Sequence, residues 1–338
     1  MSENYPIDFV VTWVDGNDPV WQAEKAKYSP NKNADNRNVR FRDWDNMQYW
    51  FRAVEKFAPW VNKIHFVTYG HLPKWLNIDN PKLNIAKHSD FIPQKYLPTF
   101  SSQPIELNLH RINGLAERFV YFNDDMFLLR PVKRELFFAG KDCLPTDFAI
   151  TSTISTTTKE DMMPFIKLNC VTILNGHFDK KEQMKKHFSK WVNLAYGWNA
   201  LRNLIFYGQH RFKGFANNHL AFSFLKSEYE DIWEKEYESL DDTSSHKFRS
   251  KLDLDNWLIR YWQLTRGNFY PIGRHVKGKV YEIYNGVEQN QELFKIIEDQ
   301  AMPMICINDN DNVDFEPMKE RIKQAFDRIL PEKSSFEK

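Results

Sequence analysis

The segment that most constrains the fold is a run of four apolar or aromatic residues, 119–122, followed at once by Asn123, Asp124 and Asp125. A continuous apolar run of this kind is typical of a strand buried on both faces of a parallel sheet. Ligands of open α/β sheets bind just beyond the carboxyl ends of such strands. Two adjacent carboxylates there indicate a divalent cation that also binds a substrate phosphate, because unpaired buried charges are costly. The simpler alternative is a turn that merely ends the strand.

Strand and helix patterns alternate along the first half of the chain. They predict strands at 7–14, 63–70, 83–87 and 118–122, and helices that start at 43 and 102. This order predicts an α/β fold with a mostly parallel, twisted, Rossmann-like sheet and flanking helices. In the second half, helices are predicted over 219–238 and 254–264, and a last buried strand over 302–307.

Residues 176–215 differ in character from the rest and predict a helical insert rich in basic and aromatic side chains. Those side chains are Lys180, Lys181, Lys185, Lys186 and Lys190, followed by Trp191, Tyr196, Trp198, Phe206 and Tyr207. One interpretation is a solvated helix face followed by a core helix. The other is a surface that holds an acceptor glycan or lies on an anionic membrane leaflet.

Composition narrows the class of protein. The net charge of +1 indicates no nucleic-acid partner, and three widely spaced cysteines fit a reducing compartment. Residues 1–6 show no secretory signal, and no run of roughly 18 apolar residues occurs. We therefore expect a cytoplasmic protein, soluble or peripheral on the inner face of the plasma membrane.

A second acidic turn follows the predicted strand 302–307. Its residues Asn308, Asp309 and Asn310 repeat the pattern at 123–125, so the two strand ends are expected to converge on one ion. A calcium-loop interpretation of residues 309–314 fails because the sixth position is not glycine.

Two further side chains are candidates for chemistry. His219, at the predicted helix start, suits a general base, although a single histidine is more often structural. Arg249 suits a phosphate clamp or, equally, a surface ion pair. The residues alone predict a metal-assisted enzyme acting on a phosphorylated or nucleotide-linked substrate.

The segment from Ile7 to Pro19 closely resembles the opening block of the Stealth family. Its members are hexose-1-phosphate transferases of bacterial capsule synthesis, related to the animal lysosomal-enzyme N-acetylglucosamine-1-phosphotransferase. Residues 40–130 and 214–263 are similar to further blocks of the family, and 306–310 with 330–337 are similar to the last. The resemblance implies a single Stealth-type catalytic domain over residues 5–338.

The resemblance also implies a reaction, namely transfer of a sugar-1-phosphate from a UDP-sugar to a hydroxyl of an acceptor glycan, with release of UMP. The acceptor would be a polysaccharide or a lipid-linked glycan. Mg²⁺ (or Mn²⁺) would be held by Asp125 and Asp309, His219 would act as base, and Arg249 would stabilise the transferred phosphoryl group. The expected contacts to the nucleotide sugar come from Asp15, Arg42, Asp43, Asn123 and Asp124.

Two other functions stay open at this stage. A metal-dependent glycosyltransferase would use the same acidic strand ends but would release UDP. A non-catalytic glycan-binding protein would use the aromatic residues, 15% of the chain, to stack on sugar rings.

Overall fold

A five-stranded sheet forms the centre of the molecule. The structure is a computed structural model that describes residues 5–29, 42–156, 158, 160–310 and 312–338. In chain order the strands are β1 Ile7–Thr12, β2 Ile64–Thr68, β3 Leu83–Lys87, β4 Arg118–Phe122, β5 Met126–Leu128, β6 Phe138–Ala139, β7 Leu144–Asp147, β8 Phe222–Leu225, β9 Tyr270–Pro271, β10 Gly278–Glu282 and β11 Met304–Asn308. The central sheet has the order β3-β2-β1-β4-β8.

Four of these five strands run parallel. β1 pairs in parallel with β2 and with β4, and β2 pairs in parallel with β3. β8 joins the edge antiparallel to β4. The mostly parallel α/β sheet is thus confirmed, and the first four strands lie within two residues of their predicted ends.

Helices cover both faces of the sheet. They are α1 Pro19–Tyr28, α2 Met47–Phe57, α3 His88–Phe91, α4 Ser102–Leu107, α5 Met163–His177, α6 Lys180–Lys186, α7 Phe188–Trp191, α8 Asn199–Ile205, α9 Lys226–Lys235, α10 Tyr237–Ser245, α11 Asn256–Thr265, α12 Gln291–Glu298 and α13 Phe315–Ile329. The helix predicted from residue 43 begins only at Met47, after Asn46.

The two faces of the sheet belong to two separate apolar cores. Successive strand residues point to opposite faces, so Phe9 and Phe122 pack in one core while Val10 and Phe119 pack in the other. The first core also contains residues of α2, α12 and α13, and the second contains residues of α5, α9 and α11. Burial on both faces is what the continuous apolar strands predict.

A second, three-stranded sheet lies where the central sheet ends. Its order is β10-β11-β5, with β11 parallel to β10 and antiparallel to β5. β5 follows β4 after only three residues, the acidic turn 123–125. That turn is therefore held between strands of two different sheets.

The segment 176–215 contains α6, α7, α8 and a 3₁₀ turn at Leu194–Tyr196. Its buried residues include Met184, Trp191 and Asn203. None of the helices in the described residues has both the length and the apolar composition needed to cross a bilayer.

Candidate active site

The acidic turn 123–125 lies beside the strand β11. The backbone N–H of Ile307 donates to the carbonyl oxygen of Asp125 at 2.8 Å. The thiol of Cys306 donates to Asp125 Oδ2 at 3.2 Å. The turn is thus supported from a strand almost two hundred residues away in the chain.

His219 reaches this turn from the loop before the neighbouring strand. The helix predicted over 219–238 is wrong in its first part: His219 lies in a loop, three residues before β8, and α9 begins only at Lys226. Because β8 is antiparallel to β4, with Phe222 opposite Tyr121, the start of β8 lies next to the end of β4. His219 Nε2 is consequently 3.5 Å from Asp125 Oδ2 and 3.5 Å from Asn123 Nδ2.

Asp125, His219 and Cys306 form a group whose candidate ligand atoms all lie within 4.8 Å of one another. Asp125 Oδ1 is buried and has no hydrogen-bond partner within the described part of the chain. A buried carboxylate oxygen without a donor is costly, and a cation removes that cost. Burial and the nearby Asp125 raise the pKa of the Cys306 thiol well above its usual value, so it stays protonated. A protonated thiol is a poor ligand, and the group therefore fits a hard cation held by the carboxylate of Asp125.

Asp309 is not a member of that group. Its carboxylate accepts two hydrogen bonds from Arg42, at 2.6 Å from Nη2 and 3.0 Å from Nε, and a third at 3.0 Å from Trp44 Nε1. The structure brings the two acidic turns together through their backbones, but it places the Asp309 side chain with Arg42. The bidentate ion pair satisfies the oxygens that a metal would use.

The carboxylates around the turn repel one another. Burial, followed by the charges of Asp125 and Asp43, raises the pKa of Asp124 to about 7. The pKa of Asp43 is also raised, by burial and then by the charges of Asp45 and Asp15. Asp15, Asp43, Asp124 and Asp125 therefore share one acidic region, which favours a positively charged ligand.

The proton affinity of His219 is increased by its neighbours. Burial lowers its pKa, but the hydrogen bond and charge of Asp125, with the charge of Glu106, outweigh burial and raise it. An imidazole paired with a carboxylate in this way is suited to accept a proton during a reaction.

Arg249 lies in the loop between α10 and α11. Its Nη2 is 3.3 Å from Ser102 Oγ, and its Nε is 3.3 Å from Gln103 Oε1. Both contacts are long, and the charge of Arg249 also acts on the buried Glu106 of α4. The guanidinium is therefore oriented by α4 without being bound in a tight ion pair.

One cleft of about 810 Å³ is lined by Asn123, His219 and Arg249. Arg42 and Asp43 line a second cleft of about 660 Å³, together with Asn17 and Trp21. Asp124 lines a small cavity of about 140 Å³. Phe100 and Ser102 contribute to both this cavity and the 810 Å³ cleft, so the cavity adjoins the main cleft.

Sequence reasoning missed three polar residues of this site: Glu106, Asp255 and Cys306. Glu106 and Asp255 line the main cleft, and burial together with Glu106 raises the pKa of Asp255 to about 7. Glu106 lies on the short helix α4, and the residues on either side of it, Ile105 and Leu107, are apolar. This pattern indicates a buried acid. Asp255 caps α11 by accepting from the Trp257 N–H at 3.0 Å. Because capping alone explains an aspartate at this position, the sequence does not indicate a second role. Cys306 is part of an apolar strand and carries no pattern of its own.

Comparison with known proteins gives two family matches and full-length relatives. Residues 5–33 match Stealth protein conserved region 1, and residues 40–144 match Stealth protein conserved region 2. The chain is 42% identical over 343 residues, with complete coverage of both chains, to the capsular polysaccharide phosphotransferase WcwK of Streptococcus pneumoniae. It is 41% identical to the receptor polysaccharide phosphotransferase WefC of Streptococcus gordonii, covering 98% of each chain. It is 39% identical to the exopolysaccharide phosphotransferase cps2G of Lactiplantibacillus plantarum, covering 100% of this chain and 98% of the relative.

Proposed function

The chain belongs to the Stealth family of polysaccharide phosphotransferases, and on that premise we propose the reaction that its cleft carries out. It transfers a sugar-1-phosphate from a UDP-sugar to a hydroxyl of an acceptor glycan in cell-surface polysaccharide synthesis. The observation that carries the proposal is that a carboxylate-paired histidine, His219, and a guanidinium, that of Arg249, line the same cleft. Full-length relatives with phosphotransferase names support it.

The bond changes are those of an in-line displacement at phosphorus. The acceptor hydroxyl oxygen forms a bond to the β-phosphorus of the UDP-sugar, and the bond from that phosphorus to the bridging oxygen breaks. UMP leaves with the bridging oxygen, and the product is a phosphodiester between two sugars. The displaced proton of the hydroxyl passes to His219.

His219 takes that proton on Nδ1 in this proposal, because its Nε2 faces the carboxylate of Asp125 at 3.5 Å and donates to it. The carboxylate of Asp125 stabilises the imidazolium that forms. Its role toward His219 resembles that of the acid in other histidine-base systems, where orientation and charge matter more than proton transfer to the acid.

Arg249 stabilises the phosphoryl oxygens that are transferred. Its planar fork offers parallel donors to two oxygens, and α4 holds it in place through Ser102 and Gln103. Asp15, Arg42, Asp43, Asn123 and Asp124 are proposed to contact the nucleotide sugar, of which Arg42 and Asp43 line the 660 Å³ cleft.

Asp125 is proposed to hold Mg²⁺ or Mn²⁺, since it carries the buried oxygen without a donor. The cation supplies charge neutralisation for the diphosphate. Asp309 is proposed as its second protein ligand, and it must exchange its ion pair with Arg42 for the cation. We place the reaction in the cytoplasm.

The product tests the proposal. The protein is incubated with each of a panel of UDP-sugars, an acceptor polysaccharide and Mg²⁺, and the products are followed by phosphorus NMR. A phosphodiester signal together with UMP is expected. UDP as the sole nucleotide product would instead identify a glycosyltransferase, and glycan binding without turnover would identify a binding protein.

Two controls examine the metal. Chelation of divalent ions is expected to abolish UMP release, which returns on adding Mg²⁺. Asp309→Ala is expected to lower the rate of UMP release and to raise the Mg²⁺ concentration needed for half-maximal activity. Full activity with unchanged metal dependence in this variant would show that Asp309 serves only its ion pair with Arg42.

A further inference from the structure

The helix α8 and the turn before it carry their large apolar residues on the outside. Leu194 is 96% exposed, Trp198 is 87% exposed and Ile205 is 75% exposed. Trp198, Leu201 and Ile205 are spaced by three and four residues, so they share one side of the helix. Contiguous exposed apolar surface is unusual on soluble proteins and marks an interaction site.

The inner side of α8 contains a polar residue, Asn203, whose side chain is hydrogen-bonded to the rest of the fold. Asn203 is completely buried, and its Nδ2 donates to the carbonyl oxygens of Ala149 at 2.6 Å and Trp191 at 2.5 Å. Its Oδ1 accepts from the N–H of Thr151 at 2.8 Å. Turning the helix to bury Trp198 would break these three hydrogen bonds. The outward direction of the apolar residues is therefore held by the fold.

The segment that contains this surface is basic in sequence. Between residues 180 and 213 the chain has eight lysines and arginines and a single acidic residue, Glu182, although the whole chain has a net charge of only +1. Arg202 is exposed on α8 itself, and exposed Lys213 has its Nζ 5.9 Å from the ring centroid of Phe206, directly after α8. Tryptophan and aliphatic side chains bordered by basic ones are typical of segments that lie in the interface of anionic membranes.

We propose that the outward face of α8, formed by Leu194, Trp198, Leu201 and Ile205, docks on a bilayer that contains anionic lipids. The apolar side chains enter the boundary between headgroups and acyl chains, and Arg202 and Lys213 contact the headgroups. A glycan is a poorer match for this face. Sugar sites combine an aromatic ring with side chains that bond hydroxyls, whereas the helical neighbours of Trp198 on the face are aliphatic.

A short series of contacts connects the docking face with the catalytic cleft. A Cβ at Gly273 would lie 3.0 Å from the carbonyl oxygen of Ala195, so this turn packs directly on the segment before Arg274. Arg274 donates to the carbonyl oxygen of Asn217 at 3.0 Å and to Asn218 Oδ1 at 3.2 Å, and His219 is the next residue. Docking would bring the cleft close to the membrane. If the proposed function holds, the acceptor glycan is then one attached to a lipid of the same bilayer.

Vesicle co-sedimentation tests the docking. Wild-type protein is expected to bind vesicles of phosphatidylcholine with phosphatidylglycerol, to release with added salt, and to bind weakly to phosphatidylcholine alone. Trp198→Ala and Ile205→Ser should each lower the partition constant by about tenfold, from the apolar area lost. Arg202→Gln should lower it by about fivefold, the usual worth of one charge near an anionic surface.

Ile78→Ser is the matched control, since Ile78 is 52% exposed in the loop between β2 and β3. It should leave vesicle binding unchanged. Absence of wild-type binding to the anionic vesicles, or equal binding by Trp198→Ala, would overturn the proposal. The proposal would also be overturned if light scattering showed a changed oligomeric size for Trp198→Ala while its vesicle binding stayed intact. The face would then contact a second copy of the chain.

Turnover separates this proposal from the proposed function. Trp198 is not among the described residues that line the main cleft. Trp198→Ala should therefore release UMP in detergent-free solution at the wild-type rate with a water-soluble acceptor. Vesicle binding by a wild-type protein that releases no UMP would refute the reaction and leave the docking in place.

Discussion

A buried ion pair contacts the loop that carries His219, and its removal tests how the fold positions this residue. Arg260 donates from Nε and Nη2 to the two carboxylate oxygens of Asp147, each at 2.7 Å. Its Nη1 donates to Asn217 Oδ1 at 2.7 Å, two residues before His219. Arg260 is 1% exposed and Asp147 is 7% exposed. Lys277 is buried near the same carboxylate, and burial lowers its pKa to about 8.

Asp147→Asn removes the countercharge and preserves the shape of the side chain. Breaking one partner of a buried pair costs about 3–5 kcal/mol, because the other charge is left unpaired. Unfolding entropy near about 2.1 cal/mol/K per residue gives about 0.7 kcal/mol/K for the 338 residues. We therefore expect Tm to fall by about 4–7 °C in Asp147→Asn, and similarly in Arg260→Met.

The double variant should lose less stability than the two single variants together, since no unpaired charge of the pair remains. Calorimetric melts of the four proteins measure this coupling. Additivity within about 0.5 kcal/mol, or an unchanged Tm in Asp147→Asn, would refute the assignment of a structural ion pair.

Activity gives the second readout of the same variants. Arg260→Met removes the hydrogen bond from Arg260 to Asn217. Its loss should displace His219 and reduce kcat for UMP release. Arg52→Met is the matched control, because Arg52 forms a comparable bidentate pair with Glu337, at 2.8 and 2.7 Å, outside the cleft. This control should lower Tm and leave kcat unchanged. If Arg260→Met and Arg52→Met lose kcat equally, the cause is the destabilisation that they share and not the position of His219.

Three further predictions concern the cleft and the sheet. His219→Ala should lower turnover by about 10²–10⁴-fold and leave calorimetric binding of the UDP-sugar nearly unchanged; unimpaired turnover would exclude His219 as the base. Arg249→Lys keeps the charge but loses the fork, and kcat should fall by about 10²-fold while Km changes little. In Asp8, burial raises the pKa, but hydrogen bonds with His65 Nε2 at 3.0 Å, Asn62 Nδ2 at 2.7 Å and the Ala116 N–H at 2.8 Å outweigh it, so the folded pKa lies below the usual value. The stability from ionised Asp8 is therefore present above about pH 4 and lost as pH falls through the lowered pKa, so Asp8→Asn should reduce Tm more at pH 7 than at pH 3; equal loss at both values would contradict it.

Local patterns determined much of this protein. The apolar run 119–122 forms a strand buried on both faces, and the turn after it lies at the carboxyl edge of a mostly parallel sheet. These features follow from the sequence because strand periodicity and burial act over a few neighbouring residues. His219 and Arg249, chosen from their chemistry and from the family resemblance, line the same cleft.

Tertiary structure decided what each of these side chains contacts. The pattern after residue 219 merges with the helix that begins at Lys226, so only the antiparallel return of β8 along β4 shows that His219 precedes a strand. The ion pair of Asp309 with Arg42, 267 residues away in the chain, is also visible only in the tertiary structure.

The helix α8 shows the same division. Trp198 directly precedes the helix, the aliphatic residues lie within it, and their period predicts one apolar face. It does not state whether that face points inward or outward. The three hydrogen bonds of the buried Asn203 decide the direction, and their partners lie in other segments of the fold. Periodicity is set by nearest neighbours along the chain, whereas the partner of a charge and the direction of a face depend on long-range packing.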